Sequence, residues 1–552
     1  MARGSRSRKK PSPTGTELTT SGPSASPPPR VPAWMEPAPP AAGDASWLIL
    51  DRFVHLSRRR RGVVEGDATG SSLAEDCAGR QVRASLRIAD PPAVSRLYLH
   101  CPGRPQIDGR FSGPAAIAAH RNSILLRITV PFEDPIAWSE THSFPVDYLV
   151  YSSTPPPPSG SSSSSPPPSL TVLPPCFRRC KNELDKFFQP HRMQQQQIMF
   201  DERMGILCHG DNGEFTVAHL THRPPHEVEL CLLHHPPPAG IAMKWSVNKL
   251  QIPPDMKINL GTWRTDVVVP IGRRCLCWVD YYQGMLIVDV LADTQESSPE
   301  YQQQQFHYIR LPTQSLKPRR FHIDACTPDP LRRVCVTDAG TIKLVCILTK
   351  LPPSPDFTII TWTLVDINRG NWTKDVNTTV GNEQFFDLCN AAQSCLPRVL
   401  PSFPVVSLVD PDVICFLLKE KDRNLCWMVE VNMRNKVLQS SALYINEDEE
   451  EGQPSEKDRR NTFYGRPFIP TKFSSYLSKD AITSRKLSEM MQKAKEELIG
   501  TRKAEEERAT RKAEEESDAE AEEGGLISMA NGVDGTLNIS TATHGSGVPP
   551  CV

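Results

Sequence analysis

The chain consists mostly of short strand-like runs. From Trp47 to Tyr444 there are about twenty runs of alternating or continuously apolar residues, spaced at roughly 10 to 20 residues. In residues 81–89, for example, Val82, Ala84 and Leu86 alternate with polar side chains, which is the two-residue period of a strand. Helical periodicity between the runs is almost absent. The pattern therefore predicts an all-β fold rather than alternating β-α-β units.

The grouping of the runs favours a β-propeller-like body over a sandwich array. Residues 413–444 contain three apolar runs joined by the polar turns KEKDRN and NMRN. Up-and-down sets of three or four strands are what a propeller blade requires. The stretch from Ser46 to Ile445 contains 400 residues. At about 45 to 50 residues per blade, with insertions, this length predicts six or seven blades.

Changes in composition divide the chain into a body and flanking segments. Proline accounts for 53 of 552 residues and is concentrated near the N-terminus and in a Ser/Pro stretch. Segments without large apolar residues cannot bury enough surface to offset their ordering entropy. The predicted organisation is a disordered tail (1–45), an all-β body (46–445) with a Ser/Pro insertion (153–169), a charged loop and docking segment (446–479), a charged α-helix (480–523) and a disordered tail (524–552).

Cysteine usage and the N-terminal residues bear on the compartment. The 16 cysteines are scattered along the chain and many lie in apolar runs, as buried free thiols do. The first residues, MARGSRSRKK, lack an apolar secretory segment. We therefore expect the cytoplasm or the nucleus. The basic cluster is typical of a solvated tail or a nuclear localisation signal, and the Arg/Ser-rich residues 1–30 leave organelle targeting open.

One region is enriched in possible metal ligands. Residues 176–235 hold 11 of the chain's 30 cysteines and histidines. Cys176 and Cys180 form a C-x3-C pair, and His222 and His226 form an H-x3-H pair, so zinc binding is one hypothesis. However, 41 residues including apparent strands separate the two pairs. Buried thiols and loop histidines are the preferred interpretation, and no metal, cofactor or catalytic residue is assigned.

Recognisable catalytic motifs are absent from the sequence. There is no nucleophile elbow, Walker A loop, HExxH helix, kinase set or dinucleotide fingerprint. The basic run SRRRR (57–61) is one possible phosphate contact, but a polar hairpin turn explains it more simply. With a net charge of −1 and no run of about 18 apolar residues, neither nucleic acid nor a membrane is the expected partner.

Several runs taken together resemble a known family. WLILDRFVH, VRASLRIADPPAVSRLYLHCPG, MKWSVNKLQIP and CWVDYYQGMLIVDVL (277–291) are similar, in order and spacing, to plant proteins carrying domain of unknown function 1618, which are abundant in grasses. The resemblance covers residues 46–445. Its strand pattern is like that of F-box-associated and kelch-type propellers. The family has no assigned enzymatic activity or site, so the resemblance implies no functional residue.

These observations lead to one expected function and two alternatives. A large all-β body without catalytic motifs is expected to be a non-enzymatic protein–protein interaction scaffold, with a protein partner and no cofactor. The first alternative is a zinc-binding protein or Cys/His enzyme that uses residues 176–235. The second is a nuclear factor associated with nucleic acid through SRSRKK and SRRRR.

Overall fold

The computed structural model describes fourteen segments of the chain, all within its first unit, residues 1–482. They are residues 47–57, 69–104, 113–130, 146–153, 166–176, 199–210, 213–238, 240–292, 306–316, 329–349, 356–391, 396–420, 425–444 and 467–477. The predicted tails, the charged loop, the charged helix 480–523 and most of the Ser/Pro insertion lie outside these segments.

The described residues form six blades, which we number in chain order. Blade 1 contains strands from both ends of the described chain: β1 (Leu48–Ser57), β2 (Ala74–Glu75), β3 (Gln81–Arg87), β4 (Val94–His100) and β26 (Ile469–Thr471). In this blade β1 and β4 run parallel. Within the blade the strand order is β26-β1-β4-β3-β2. A bridge between Phe53 and Ala115 joins blades 1 and 2 into one nine-stranded sheet.

Blades 2 to 6 are antiparallel sheets. Blade 2 has β5 (Ala115–His120), β6 (Ser123–Thr129), β7 (Val146–Ser152) and β8 (Ser169–Val172). Blade 3 has β9 (Met204–Cys208), β10 (Phe215–Arg223), β11 (Glu227–His235) and β12 (Ser246–Gln251). Blade 4 has β13 (Val267–Ile271), β14 (Cys275–Asp280), β15 (Gly284–Asp289) and β16 (Phe306–Arg310).

The last two blades follow the same plan with small additions. Blade 5 has β17 (Arg332–Val336), β18 (Ile342–Thr349), β19 (Phe357–Asp366), β20 (Asn371–Lys374) and the short β21 (Val380–Gly381), which pairs with β19. Blade 6 has β22 (Ser402–Val406), β23 (Val413–Glu420), β24 (Leu425–Asn432) and β25 (Val437–Tyr444).

The six blades close into a ring. The inner strands neighbour one another in the order β5, β9, β13, β17, β22 and β26, and β26 in turn neighbours β5. The apolar core of the described residues consists of six clusters, and each one lies between two adjacent blades, including blades 6 and 1. The prediction of an all-β propeller is thus confirmed, and its blade count is six.

Side chains alternate between the two faces of each strand, and both faces are buried. This explains why the strand sequences are apolar at successive positions. In β5, Ala116 packs into the cluster between blades 1 and 2, whereas the next residue, Ile117, packs into the cluster between blades 2 and 3. Because successive side chains of a strand point to opposite faces, every blade supplies two interfaces. A strand buried on both faces is continuously apolar, as VICFLL in β23 is.

Strand β26 and its flanking residues complete the ring. Phe468, before β26, is buried with Ile49 in the cluster between blades 6 and 1. Arg333 Nη2 donates a hydrogen bond of 2.9 Å to the Phe468 carbonyl, and Lys472 forms an ion pair with Asp338. After β26, Phe473 and Leu477 are buried in the cluster between blades 1 and 2.

A second closing contact joins blade 6 directly to blade 1. The Tyr444 hydroxyl donates a hydrogen bond of 2.7 Å to Asp51 Oδ2, and both side chains are buried. Burial raises the pKa of Asp51, and the hydrogen bonds from Tyr444 and from the Phe53 amide oppose that rise. The contact therefore satisfies a buried carboxyl group that would otherwise be costly.

One helix was not predicted. α1 (Asn382–Ala391) lies between blades 5 and 6 and buries Phe385 and Cys389 in their shared cluster. Its ten residues are too few to produce a clear helical period in a sequence window of 11 to 18 residues. No helix in the described part of the chain is long and apolar enough to cross a membrane.

We expect Tyr444→Phe to lower the free energy of unfolding by about 1 to 3 kcal/mol, because it removes the donor to a buried carboxyl group. Urea unfolding measures this difference. The matched control is Tyr308→Phe, because the Tyr308 hydroxyl has no hydrogen-bond partner among the described residues. Equal stability of the Tyr444→Phe variant and the wild type would contradict the role of this contact in closure.

Candidate functional site

The cysteines of the 176–235 region that the structure describes are core residues. Cys176, Cys208 and Cys231 form no disulfide bond and are buried in the cluster between blades 2 and 3. Burial raises the pKa of Cys208 to about 11, which disfavours the thiolate that a nucleophile or metal ligand needs. Cys180 and His191 lie outside the described residues. Among the residues described, no group of three or more His, Cys, Asp or Glu is placed to hold a metal ion.

Two histidines of this region share a threonine hydroxyl. His209 Nε2 and His234 Nδ1 each lie 2.8 Å from Thr216 Oγ1, and Glu214 lies 3.9 Å from His209 Nδ1. A hydroxyl has one proton, so one ring donates to Oγ1 and the other accepts from it. Burial lowers the pKa of both rings. Thr216 is fully buried, so its hydroxyl is not accessible to a substrate.

Two other histidines, one fully buried and one half-buried, accept hydrogen bonds from the backbone. His219 Nε2 accepts from the Phe200 amide at 3.2 Å, and His120 Nδ1 accepts from the Cys208 amide at 2.9 Å. Burial lowers the pKa of each ring to about 3, with a further contribution from Arg203 at His219 and from Arg121 at His120. Both rings are therefore neutral packing groups near neutral pH.

The inner strands enclose a central channel with a cavity of about 160 Å³. Residues of β5, β13, β17 and β26 line it, together with the turns that follow β13 and β17. Its charged lining in the described part of the chain consists of four cationic side chains and one carboxylate: Arg52, Arg121, Arg333, Lys472 and Asp338. No sequence motif marks these residues as functional.

Exposed apolar side chains are concentrated in blades 5 and 6. Of the eight large apolar side chains that are exposed in the described residues, five lie between positions 365 and 437. Val376 is 73% exposed, Val437 50% and Val409 44%. We call these three residues the valine surface. A contiguous exposed apolar patch marks an interaction site more often than a single exposed side chain does.

Ion pairs and hydrogen bonds hold the three loops of the valine surface together. Lys343, on β18, is buried, and its Nζ lies 3.4 Å from Asp375 Oδ2 and 3.2 Å from Asp412 Oδ1. Asp412 also pairs with Arg434. Lys436 Nζ donates a hydrogen bond of 2.8 Å to the Thr379 carbonyl. These contacts join the loops that carry Val376, Val409 and Val437 across the boundary between blades 5 and 6.

The valine surface has a balanced charge. Asp375, Asp410 and Asp412 lie in its loops with Arg434 and Lys436, and Lys343 lies beneath them. The ion pairs with Lys343 and Arg434 lower the pKa of Asp412, against the opposing effect of its partial burial. Equal numbers of acidic and basic groups give no electrostatic preference for a polyanion such as nucleic acid.

A family model matches part of the chain. Residues 278–415, a quarter of the chain, match the family described as "Protein of unknown function (DUF1618)". The match runs from β14 in blade 4 to β23 in blade 6, and it supports the resemblance noted from the sequence over that stretch. No curated protein matches the chain.

Solved structures show only remote similarity. The β-propeller domain of Myceliophteria thermophila Cps50 (Swd1) is 9% identical, with 68% of this chain and 85% of that chain covered, at a TM-score of 0.28. Polysaccharide lyase Uly1 is 9% identical, with 70% and 86% covered, at a TM-score of 0.27. A mutant levansucrase of B. megaterium is 9% identical, with 71% and 91% covered, at 0.22. The propeller assignment therefore rests on strand order and blade interfaces.

The buried histidines predict a loss of stability in acid. In the unfolded chain a histidine has its usual pKa near ~6.5. In the folded state the pKa is lower, about 3 for His219. The contribution of the neutral ring to the free energy of unfolding is therefore complete above pH ~6.5 and is lost as the pH falls towards 3. We expect His219 alone to contribute about 2 kcal/mol to the decrease in unfolding free energy between pH 7 and pH 5.

Urea unfolding of the wild type and of His219→Gln at several pH values tests this expectation. The glutamine can still accept a hydrogen bond from the Phe200 amide but does not titrate. The unfolding free energies of the two proteins should differ by a constant amount between pH 7 and pH 8. At pH 5 this difference should be smaller by about 2 kcal/mol. Parallel curves over the whole range would show that His219 is not held neutral by the fold.

Proposed function

We propose that the protein is a non-enzymatic interaction scaffold that binds a protein partner on its valine surface. The observation that carries the proposal is the exposure of Val376, Val409 and Val437 on loops held together by Lys343 and its two aspartates. A rigid apolar patch with polar groups around it has the composition of a protein–protein interface.

Rigidity strengthens the proposal. A partner that binds flexible loops must offset the entropy lost when the loops become ordered. Here Lys343, Arg434 and Lys436 already fix the loops from both blades, so this cost is small. The balanced charge of the surface favours a protein over a nucleic acid as the partner.

The compartment and the family are proposed with the function. We propose that the protein lies in the cytoplasm or the nucleus, because the twelve cysteines of the described residues form no disulfide bonds and eleven of them are buried. We also propose that the whole ring, and not only residues 278–415, belongs to the plant family of the sequence resemblance. Its similarity to F-box-associated and kelch-type propellers is part of the same proposal.

The double variant Val376→Asp/Val437→Asp tests the proposed surface. Partners are first enriched with the full chain from a plant extract and identified, and each is then purified and titrated calorimetrically against the wild type and the variant. We expect the variant to weaken binding roughly tenfold or more, because a carboxylate would be buried at the centre of the interface. Circular dichroism checks that both proteins are folded.

The matched control is Leu73→Asp, which places one carboxylate, against two in the double variant, on an exposed apolar side chain (55%) in blade 1. It should bind as the wild type does. A partner that binds the wild type and the double variant equally would contradict the valine surface as the docking site. Light scattering of the purified chain separates self-association from binding of another protein. A dimer that the double variant abolishes would show that the valine surface binds a second copy of the chain rather than another protein.

A further inference from the structure

A polar groove of about 510 Å³ lies at the end of β16, where blade 4 meets blade 5. β16 is the outer strand of blade 4, and the turn between β19 and β20 of blade 5 lies against it. We call this feature the basic groove. Among the described residues its lining has three cationic side chains, Lys257, Arg310 and Arg369, and no carboxylate. Its volume is within the range of about 300 to 1,000 Å³ that is usual for ligand pockets.

Two of the three positive charges are available to a ligand. Arg369 forms an ion pair with Asp366, with 3.7 Å between Nε and Oδ2. Lys257 and Arg310 are exposed and form no ion pair with a carboxylate in the described part of the chain. An exposed ion pair contributes little free energy by itself, so recognition at this groove also needs groups that bind by hydrogen bonding and packing.

Tyr308 supplies such a group on a rigid ring. The ring lies on the backbone of Gly284, where a Cβ atom would be 2.6 Å from Tyr308 Cε2, and its centroid is 6.4 Å from that of Trp263. The hydroxyl has no hydrogen-bond partner among the described residues. Burial raises the pKa of Tyr308 to about 12, so the hydroxyl keeps its proton near neutral pH. It can therefore donate a hydrogen bond to an oxygen atom of a ligand.

Contacts between blades 4 and 5 hold the basic groove in shape. Trp372 Nε1 donates a hydrogen bond of 3.1 Å to the Arg310 carbonyl, and His307 Nε2 donates one of 2.7 Å to the Ile367 carbonyl. These bonds fix the β19–β20 turn, which carries Arg369, against β16. Because the turn is already fixed, a ligand loses little binding free energy to ordering of the groove.

The arrangement of the lining favours an extended ligand. Lys257 lies between β12 and β13, Arg310 ends β16, and Arg369 lies in the β19–β20 turn. A ligand with carboxylates at several points along its length complements charges on three separate segments. Met256 and Leu316 also line the groove and can pack against apolar groups of the ligand. An acidic peptide has both carboxylates and apolar side chains, whereas an acidic sugar has only the carboxylates.

We propose that the basic groove binds an acidic peptide segment of a partner protein. A carboxylate of the peptide pairs with Arg310, an oxygen atom accepts the hydrogen bond of the Tyr308 hydroxyl, and a further acidic side chain is attracted by Lys257. This proposal is independent of the valine surface, because the groove and that surface use different residues.

Calorimetric titration of the full chain with the acetylated, amidated peptide Glu-Leu-Glu-Glu-Leu-Glu tests the proposal. The uncharged probe is the same peptide with glutamine in place of every glutamate. We expect the acidic peptide to bind at one site, more weakly as the ionic strength rises, and the glutamine peptide not to bind. Arg310→Gln should weaken binding roughly tenfold or more, which is the range for losing one hydrogen bond to a charged group.

Tyr308→Phe separates binding from stability. It should weaken binding several-fold and leave the urea unfolding curve unchanged, because the hydroxyl has no partner among the described residues. The matched control for Arg310→Gln is Arg398→Gln, which removes the same charge from an exposed ion pair with Glu383, outside the groove. It should bind the peptide as the wild type does. Val376→Asp/Val437→Asp should also bind it normally, so failure at one surface is distinguishable from failure at the other.

Equal binding of the acidic peptide by the wild type and Arg310→Gln would overturn the proposal. Equal binding of the acidic and glutamine peptides by the wild type would do the same. Tighter binding of tetragalacturonate than of the acidic peptide would identify an acidic sugar as the ligand instead.

The chain's own residues 447–451, which are all acidic and lie outside the described segments, are the competing occupant. A variant that carries the corresponding amides at these five positions tests them. If it binds the acidic peptide at least roughly tenfold more tightly than the wild type, the groove is occupied by this segment and the assignment to a partner protein is wrong. Failure of both the wild type and this variant to bind the acidic peptide would also overturn the proposal.

Discussion

Burial of each blade on both of its faces is the constraint on which the rest of this structure depends. Among the residues that the structure describes, no blade has a core of its own, because its side chains alternate between the neighbour before it and the neighbour after it. An open row of blades would leave an apolar face at each end. In the closed ring these two end faces are buried against each other, because blade 6 packs on blade 1. The Asp51–Tyr444 hydrogen bond and the residues that flank β26 both contribute to this closing contact.

Much of the fold was predictable because its signal is local. The alternation in residues 81–89 and the three-strand set in residues 413–444 correspond to β3 and to β23–β25. The sequence predicts six or seven blades and no closer number, because insertions obscure the repeat and because one blade is assembled from residues more than 400 positions apart. Helix α1 was missed because ten residues do not establish a period against a background of strands.

The candidate sites were not predictable, for a different physical reason. Lys257, Arg310 and Arg369 belong to three separate segments, and only the folded blades bring them to one groove. Likewise Val376, Val409 and Val437 belong to three separate loops, and each one alone is an unremarkable exposed side chain. The one cluster that the sequence did suggest, in residues 176–235, arises because β9 to β11 of blade 3 use cysteine as a small apolar residue and histidine as a neutral hydrogen-bonding group.

The pairing of β1 with β26 sets an order of events during synthesis. Leu48 pairs with Thr471, so the inner edge of blade 1 stays uncovered until the ribosome has released the last strand. At about 5 to 20 residues per second, translation of the intervening stretch takes roughly 20 to 80 seconds. During that interval β1 presents unpaired backbone groups, which are a template for pairing with the wrong chain. A nascent chain of this architecture therefore exposes one edge of β1 throughout that interval.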